Sequence, residues 1–249
     1  MGYKIKVIIP IPVDADGVSA RQAQLPVDFL PDGFEVIFEA VKAGAAFGDS
    51  YHDTLLMDFS VVEAGLKAEE EGFDALCIDT VSDSGMAALR SCLTIPVVAP
   101  GISSMLMACN LGKKFSIITM WDEWFPLYEK NLTENNLWPH LASMRSIKTR
   151  PDLAELLAGK EEVVFNKLLE QAELAISEDK ADVIILGSTT MHQSHSFLAE
   201  RLPVPVLNPG QISFKTCQTL LELGLSHSKK AYPSPEAPRF DVYHRIGRS

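Results

Sequence analysis

The chain has 249 residues, 47% hydrophobic and 22% charged, which is enough for one large domain or two small ones with buried cores. Glycine and proline number 15 each, which excludes a fibrous or a disordered chain. The net charge of −11 argues against a nucleic-acid partner, which calls for a basic face.

Strand and helix patterns alternate along the sequence. Residues 4–10 form a short apolar run suited to a strand buried on both faces, and residues 34–38 form another. Residues 61–71 carry helical spacing. Residues 74–80 read as a strand and 85–91 as a short helix. A strand over 96–99 leads into a helix through 105–111, and a strand over 115–119 into a helix over 123–135. Residues 152–178 hold one long helix or two. Strands over 182–186 and 204–207 are followed by helices near 195–200 and over 211–223. Such alternation predicts an α/β fold, a mostly parallel sheet covered by helices.

The two halves repeat each other. Lys4-Ile5-Lys6-Val7-Ile8-Ile9 resembles Lys114-Phe115-Ser116-Ile117-Ile118-Thr119. Asp74-Ala75-Leu76-Cys77-Ile78-Asp79-Thr80 resembles Asp182-Val183-Ile184-Ile185-Leu186-Gly187-Ser188. Pro96-Val97-Val98-Ala99-Pro100-Gly101 resembles Pro205-Val206-Leu207-Asn208-Pro209-Gly210. Three matches in the same order predict two pseudo-symmetric, doubly wound, flavodoxin-like halves. Their expected extents are residues 1–100 plus 207–249, and residues 101–206. Parallel sheets place ligands at the carboxyl ends of their strands, so the expected site is the cleft between the halves. Thr80 and Ser188 are then equivalent positions, each just past an equivalent strand.

The N-terminal residues Met1-Gly2-Tyr3-Lys4-Ile5-Lys6 enter a strand pattern directly, with no secretory h-region and no Ser or Thr at position 6 for myristoylation. No apolar stretch is long enough to span a bilayer. A cytoplasmic protein without membrane contact is expected. Cys77, Cys92, Cys109 and Cys217 form no Cys-x-x-Cys pair and have no histidines at zinc spacing, so they read as free thiols in a reducing compartment. The chain has neither a Gly-x-x-x-x-Gly-Lys-Ser/Thr loop nor a Gly-x-Gly-x-x-Gly turn. No metal or other cofactor is expected.

The layout resembles the aspartate/glutamate racemase superfamily, most closely its hydantoin and allantoin racemase branch. The likeness covers nearly the whole chain. It is carried by Glu63-Ala64-Gly65 through Asp74, by Pro96 through Ile102, by Met105 through Ser116, and by Gly224-Leu225-Ser226-His227-Ser228-Lys229 with Ala231-Tyr232. The resemblance implies a cofactor-independent enzyme in which each half supplies one cysteine after its equivalent strand. One thiolate removes the proton next to a carbonyl or carboxylate, and the other thiol returns one from the opposite face. It also implies a homodimer or a multiple of dimers. This sequence departs at both positions, reading Thr80-Val81-Ser82-Asp83-Ser84-Gly85 and Leu186-Gly187-Ser188-Thr189-Thr190-Met191. Cys77 lies three residues before Thr80, inside the strand, and is expected in the core.

An alcohol is a far weaker acid than a thiol, whose reference pKa is about 8.5. Three readings of the hydroxyls remain. They bind an anionic substrate together with backbone N–H groups; or Ser188 is a histidine-assisted nucleophile of an amide or cyclic-imide hydrolase, although no Gly-x-Ser-x-Gly elbow is present; or the protein binds a small molecule without turning it over. The leading reading is chemistry beside a carboxylate or carbonyl through an enolate-like intermediate: racemisation, isomerisation, or a lyase or decarboxylase step. His192, four residues past Ser188, is the first candidate for proton transfer; His52 and Tyr128 are alternatives, and His195 could share the face of His192. Ser82, Thr189 and Thr190 are further hydroxyl candidates for contacting substrate. Ile11 makes the edge after the first strand apolar. His52 belongs to a loop at Ser50-Tyr51-His52-Asp53. Trp121, Trp124 and Tyr128 either form an aromatic wall or pack their own helix. Asp83 reads as a helix cap, and so do Ser103 and Ser104. The expected substrate is a small organic acid, amide or cyclic amide with an apolar part.

Overall fold

Runs such as Val7-Ile8-Ile9 have no polar face, so they need cover on both sides, which a central strand of a parallel sheet provides. The computed structural model, which describes residues 2–151 and 162–246, contains two such sheets. The chain divides into two units, Met1–Ala99 with Ser213–Ser249, and Pro100–Ile212.

The first unit holds strands β1 (Tyr3–Ile9), β2 (Phe34–Ala40), β3 (Ala75–Ile78) and β4 (Val97–Val98), in the order β2-β1-β3-β4 and all parallel. Its helices are α1 (Ala15–Gln22), α2 (Tyr51–Gly65) and α3 (Met86–Cys92). The second unit begins with α4 (Pro100–Leu111). It holds β5 (Phe115–Thr119), α5 (Phe125–Glu134), β6 (Leu141–Ser146), α6 (Glu162–Ser177), β7 (Val183–Leu186), α7 (Ser194–Ala199) and β8 (Val206–Leu207). Its strand order is β6-β5-β7-β8, again all parallel, so the sequence repeat is a repeat of topology. Helix α8 (Pro209–Glu222) returns the chain to the first unit, where Phe214, Cys217 and Leu221 pack with Ile5, Val7 and Ile9. The last described element is α9 (Phe240–Ile246).

The repeat extends to single hydrogen bonds. Asp74 accepts from the Lys4 amide through Oδ2 and donates its own N–H to the Lys4 carbonyl, both at 2.8 Å. Asp182 does the same at the start of β5, accepting from the amides of Lys113 and Lys114 and donating to the Lys114 carbonyl. The amides of Leu76 and Ile184 donate to the carbonyls of Pro96 and Pro205, each at 2.9 Å. These bonds set the register that delivers Thr80 and Ser188 to matching places. The repeat fails at Lys6, which is 2% exposed and bridges Glu39 and Glu71; its counterpart Ser116 bonds Ser143 at 2.8 Å instead.

Several elements depart from the pattern read in the sequence. The helix expected over 61–71 starts ten residues earlier and ends at Gly65, because the Ser50 hydroxyl caps the Asp53 amide and turns follow from Leu66. His52 therefore stands on the first turn of α2, not in a loop. Strand β6 and helix α1 were not expected: β6 is an edge strand with only Ser146 fully buried, so it carries no apolar alternation. The long helical stretch is observed as α6, and residues 152–161 of it lie outside the described residues. Among the described residues no helix is long and apolar enough to cross a membrane.

Candidate active site

In each unit the strand next to the first one ends on a buried residue and then a hydroxyl. Strand β3 is wholly buried, Asp79 is buried, and Thr80 is the first residue to reach the surface. Strand β7 is wholly buried, Gly187 is buried, and Ser188 is the first to reach the surface. The amide of Asp79 donates to the Ile8 carbonyl and that of Gly187 to the Ile118 carbonyl, each at 2.8 Å, so the two strand ends leave their sheets in the same way.

The two turns are also built alike. The Thr80 hydroxyl lies 3.0 Å from the Ser82 hydroxyl and accepts from the Ser82 amide at 3.4 Å. The Ser188 hydroxyl lies 2.7 Å from the Thr190 hydroxyl and accepts from the Thr190 amide at 3.2 Å. Each turn then closes on a backbone bond, from the Asp83 amide to the Thr80 carbonyl and from the Met191 amide to the Ser188 carbonyl, both at 3.2 Å. In the first unit the hydroxyl chain runs one step further, from Ser82 to the fully buried Ser84 at 2.8 Å. The turn ends at Gly85, whose φ of +71° and contact with the Asp58 carbonyl leave no room for a side chain.

A buried polar group holds the residue before each hydroxyl. Asp79 takes a two-pronged bond from Arg21, Nε at 2.9 Å and Nη2 at 3.0 Å, and Gln24 Nε2 lies 3.2 Å from both carboxylate oxygens. Gly187 offers its carbonyl to the Tyr128 hydroxyl at 2.7 Å, and that hydroxyl also meets Thr119 Oγ1 at 2.8 Å. Burial pushes the Tyr128 phenol far above its ordinary range.

The family model for Asp/Glu/hydantoin racemases matches residues 20–217, four-fifths of the chain and both strand-to-hydroxyl turns. The chain belongs to the Asp/Glu/hydantoin racemase family. It is 29% identical over 207 residues to a hydantoin racemase of Pseudomonas sp. (strain NS671), covering 83% of this chain and 82% of that one. In structure it is similar to the allantoin racemase of Klebsiella pneumoniae, with a TM-score of 0.86 and 26% identity over 97% of this chain and 99% of that one. The allantoin racemase of Pseudomonas fluorescens gives a TM-score of 0.85 and 27% identity over 95% and 98% of the two chains. Membership of the racemase family makes this an isomerase-type enzyme by descent.

Within this racemase-family chain the remaining candidates take several different places. His192 lies on the short 3-10 turn Thr189–Gln193 that Ser188 caps; it is half-buried and its Nδ1 is turned inward. Thr189 is buried and Thr190 half-buried on that turn. His195 instead clips its own unit, with Nε2 at 3.0 Å from the Val206 carbonyl. Ile11 packs against the first core, and Trp121 follows β5 with the Arg150 guanidinium 5.5 Å from its ring centre. The His52 side chain is 76% exposed and lies beside Asp53. Hydrogen bonds from the neighbouring Asp49, His52 and Ser50 side chains keep the Asp53 carboxyl below its ordinary range. Tyr128 is only 1% exposed and lies beneath Gly187. Trp124 is buried as well.

Two roles were not read from the sequence: Arg21 and Gln24 around Asp79, and Tyr128 as the support of Gly187. The cysteines take no part in either turn. Cys77 points into the core, 3.4 Å from the Ser213 hydroxyl, and its closeness to Cys217 together with burial pushes the Cys217 thiol well up.

Proposed function

We propose that this protein is a cofactor-independent enzyme that moves a proton at the carbon next to a carbonyl of a small cyclic amide. Hydantoin-type rings come first, since the named relatives act in that class. Thr80 and Ser188 serve as hydrogen-bond donors to substrate, and His192 carries the proton.

The observation that carries this reading is the matched pair of hydroxyl turns. In each, the leading oxygen accepts a backbone N–H two residues on and stands within hydrogen-bond reach of a second hydroxyl. When that second hydroxyl gives its single proton to the leading oxygen, the protons of Thr80 and Ser188 are free to point at substrate. Such donors suit oxygen that gains negative charge as the α-proton leaves; one well-placed donor is worth about 10²–10³ in rate. Neither hydroxyl can take the proton itself at neutral pH, because an alkoxide is far too high in energy. Neutral imidazole can. His192 removes the α-proton, the C–H electron pair moves onto the carbonyl oxygen, and the imidazolium returns a proton to the enolate.

The test is proton exchange in deuterated water with 5-substituted hydantoins, allantoin and arylmalonates, followed by NMR at the α-carbon. Exchange is expected with at least one cyclic amide. S188A and T80V should each slow it by about tenfold to a thousandfold, and H192Q should abolish it. Absence of exchange or turnover across the whole panel refutes the reading.

A further inference from the structure

We propose that Tyr128 and Arg21 are positioning residues, each holding the residue that precedes a working hydroxyl. The proposal rests on Thr80 and Ser188 being the hydroxyls that meet substrate.

The hydrogen-bond directions in the second unit follow from chemistry. A carbonyl only accepts, so the Tyr128 phenol must give its single proton to the Gly187 oxygen at 2.7 Å. The Thr119 hydroxyl, 2.8 Å away, must therefore donate to the phenol oxygen. Gly187 is then held at both ends: its N–H goes to the Ile118 carbonyl and its C=O to Tyr128. That carbonyl belongs to the same rigid peptide plane as the Ser188 N–H. Fixing it fixes the direction in which Ser188 leaves the strand. The backbone of Gly187 also lies directly on the two anchors, since a Cβ there would come within 2.6 Å of Thr119 Cβ and 2.7 Å of the Tyr128 hydroxyl.

The first unit reaches the same end with different atoms. Asp79 gives its N–H to the Ile8 carbonyl, and its carboxylate takes the Arg21 fork and Gln24. Arg21 and Asp79 side chains are each 2% exposed. Stability alone is a poor reason to keep such a pair, because apolar groups of equal volume serve a core as well or better. A two-pronged guanidinium bond does, however, fix orientation. Arg21 comes from α1 and Tyr128 from α5, and each helix follows the first strand of its unit. Two equivalent helices thus deliver a buried polar anchor to two equivalent residues, each one position ahead of a hydroxyl. Misplacing a reacting group by about 1 Å costs on the order of a hundredfold in rate.

The test is steady-state kinetics on the full-length enzyme, with thermal unfolding measured in parallel. Y128F keeps the ring and removes the proton. It should lower kcat by about tenfold or more and leave KM within about threefold. L168A, a cavity in the buried side of α6, is the stability control: it should lower the unfolding temperature at least as much and leave kcat unchanged. R21K keeps the charge but not the fork, and should lower kcat in the same manner. If Y128F and R21K both keep kcat within about threefold of wild type, or if L168A loses as much kcat as they do, the positioning role is wrong. An inactive wild type on every substrate refutes the proposed function and this proposal with it. An active wild type in which Y128F and R21K are both indifferent refutes the positioning alone.

Discussion

Replacing Gly187 by alanine tests the close approach on which the Ser188 turn depends. An added Cβ would stand 2.6 Å from Thr119 Cβ, 2.7 Å from Thr119 Oγ1 and 2.7 Å from the Tyr128 hydroxyl. Carbon contacts settle near 3.5–4.0 Å, so these atoms must retreat by roughly 1 Å. They cannot do so cheaply: Thr119 is wholly buried at the end of an inner strand of its sheet, and Tyr128 is 1% exposed. Overpacking of this kind costs about 1–3 kcal/mol. Displacing Tyr128 also lengthens its bond to the Gly187 carbonyl, a further loss of about 1 kcal/mol. Against these stands a gain of about 0.4–1 kcal/mol from the stiffer unfolded chain. The net expectation is a loss of about 2 kcal/mol, seen as a lower urea midpoint at an unchanged slope. G187A combined with T119G should recover about 1 kcal/mol beyond the sum of the single changes, because glycine at 119 removes two of the three clashing atoms, Cβ and Oγ1. A G187A midpoint within about 0.5 kcal/mol of wild type would refute the packing argument, and additive single changes would show that Thr119 is not the obstacle.

His227 gives a pH test. Burial lowers its pKa, with the Lys229 and Arg90 charges adding to that and the bond from Nε2 to the Leu93 carbonyl opposing it. The folded state therefore prefers neutral imidazole more than the unfolded chain does. The resulting stability is present above the unfolded value of about 6.5 and is lost as the pH falls through the folded one. Between pH 7.5 and 5 the wild-type unfolding midpoint should drop more than that of H227Q, and equal drops would remove His227 as the cause. The thiols give a test by omission. Cys77 and Cys217 are buried, and burial raises the half-buried Cys92 and Cys109. Alkylation with iodoacetamide should leave turnover intact; substrate-protected inactivation would put a thiol back into the reaction.

The sequence made the parallel strands and their duplication legible because apolar runs and the Pro-Val-x-x-Pro-Gly pairing are local signals. Thr80 and Ser188 emerged as partners for the same reason, and the matched turns at 80–82 and 188–190 carry that pairing down to the backbone bonds. Strand β6 escaped notice because half-buried Leu-Ala-Ser-Met-Arg-Ser at a sheet edge has no apolar face to display. Helix α1 escaped because its eight residues include one large apolar side chain, Val18, and it is held by the Asp14 cap and by Arg21. The anchors were hidden for a different reason. Arg21 lies 58 residues from Asp79, and Tyr128 lies 59 residues from Gly187; neither pair leaves a mark on its own neighbourhood. Yet the near-equal separations are themselves the repeat, since both run from the helix that follows the first strand of a unit to the end of the strand that bears the hydroxyl. The architecture kept the span while the chemistry at its ends diverged, to an ion pair in one unit and a phenol on a carbonyl in the other. If the hydroxyls act as proposed, both ends serve the same geometric need, because a hydroxyl that works only by donating a hydrogen bond has no reactivity to spare and depends wholly on where it points.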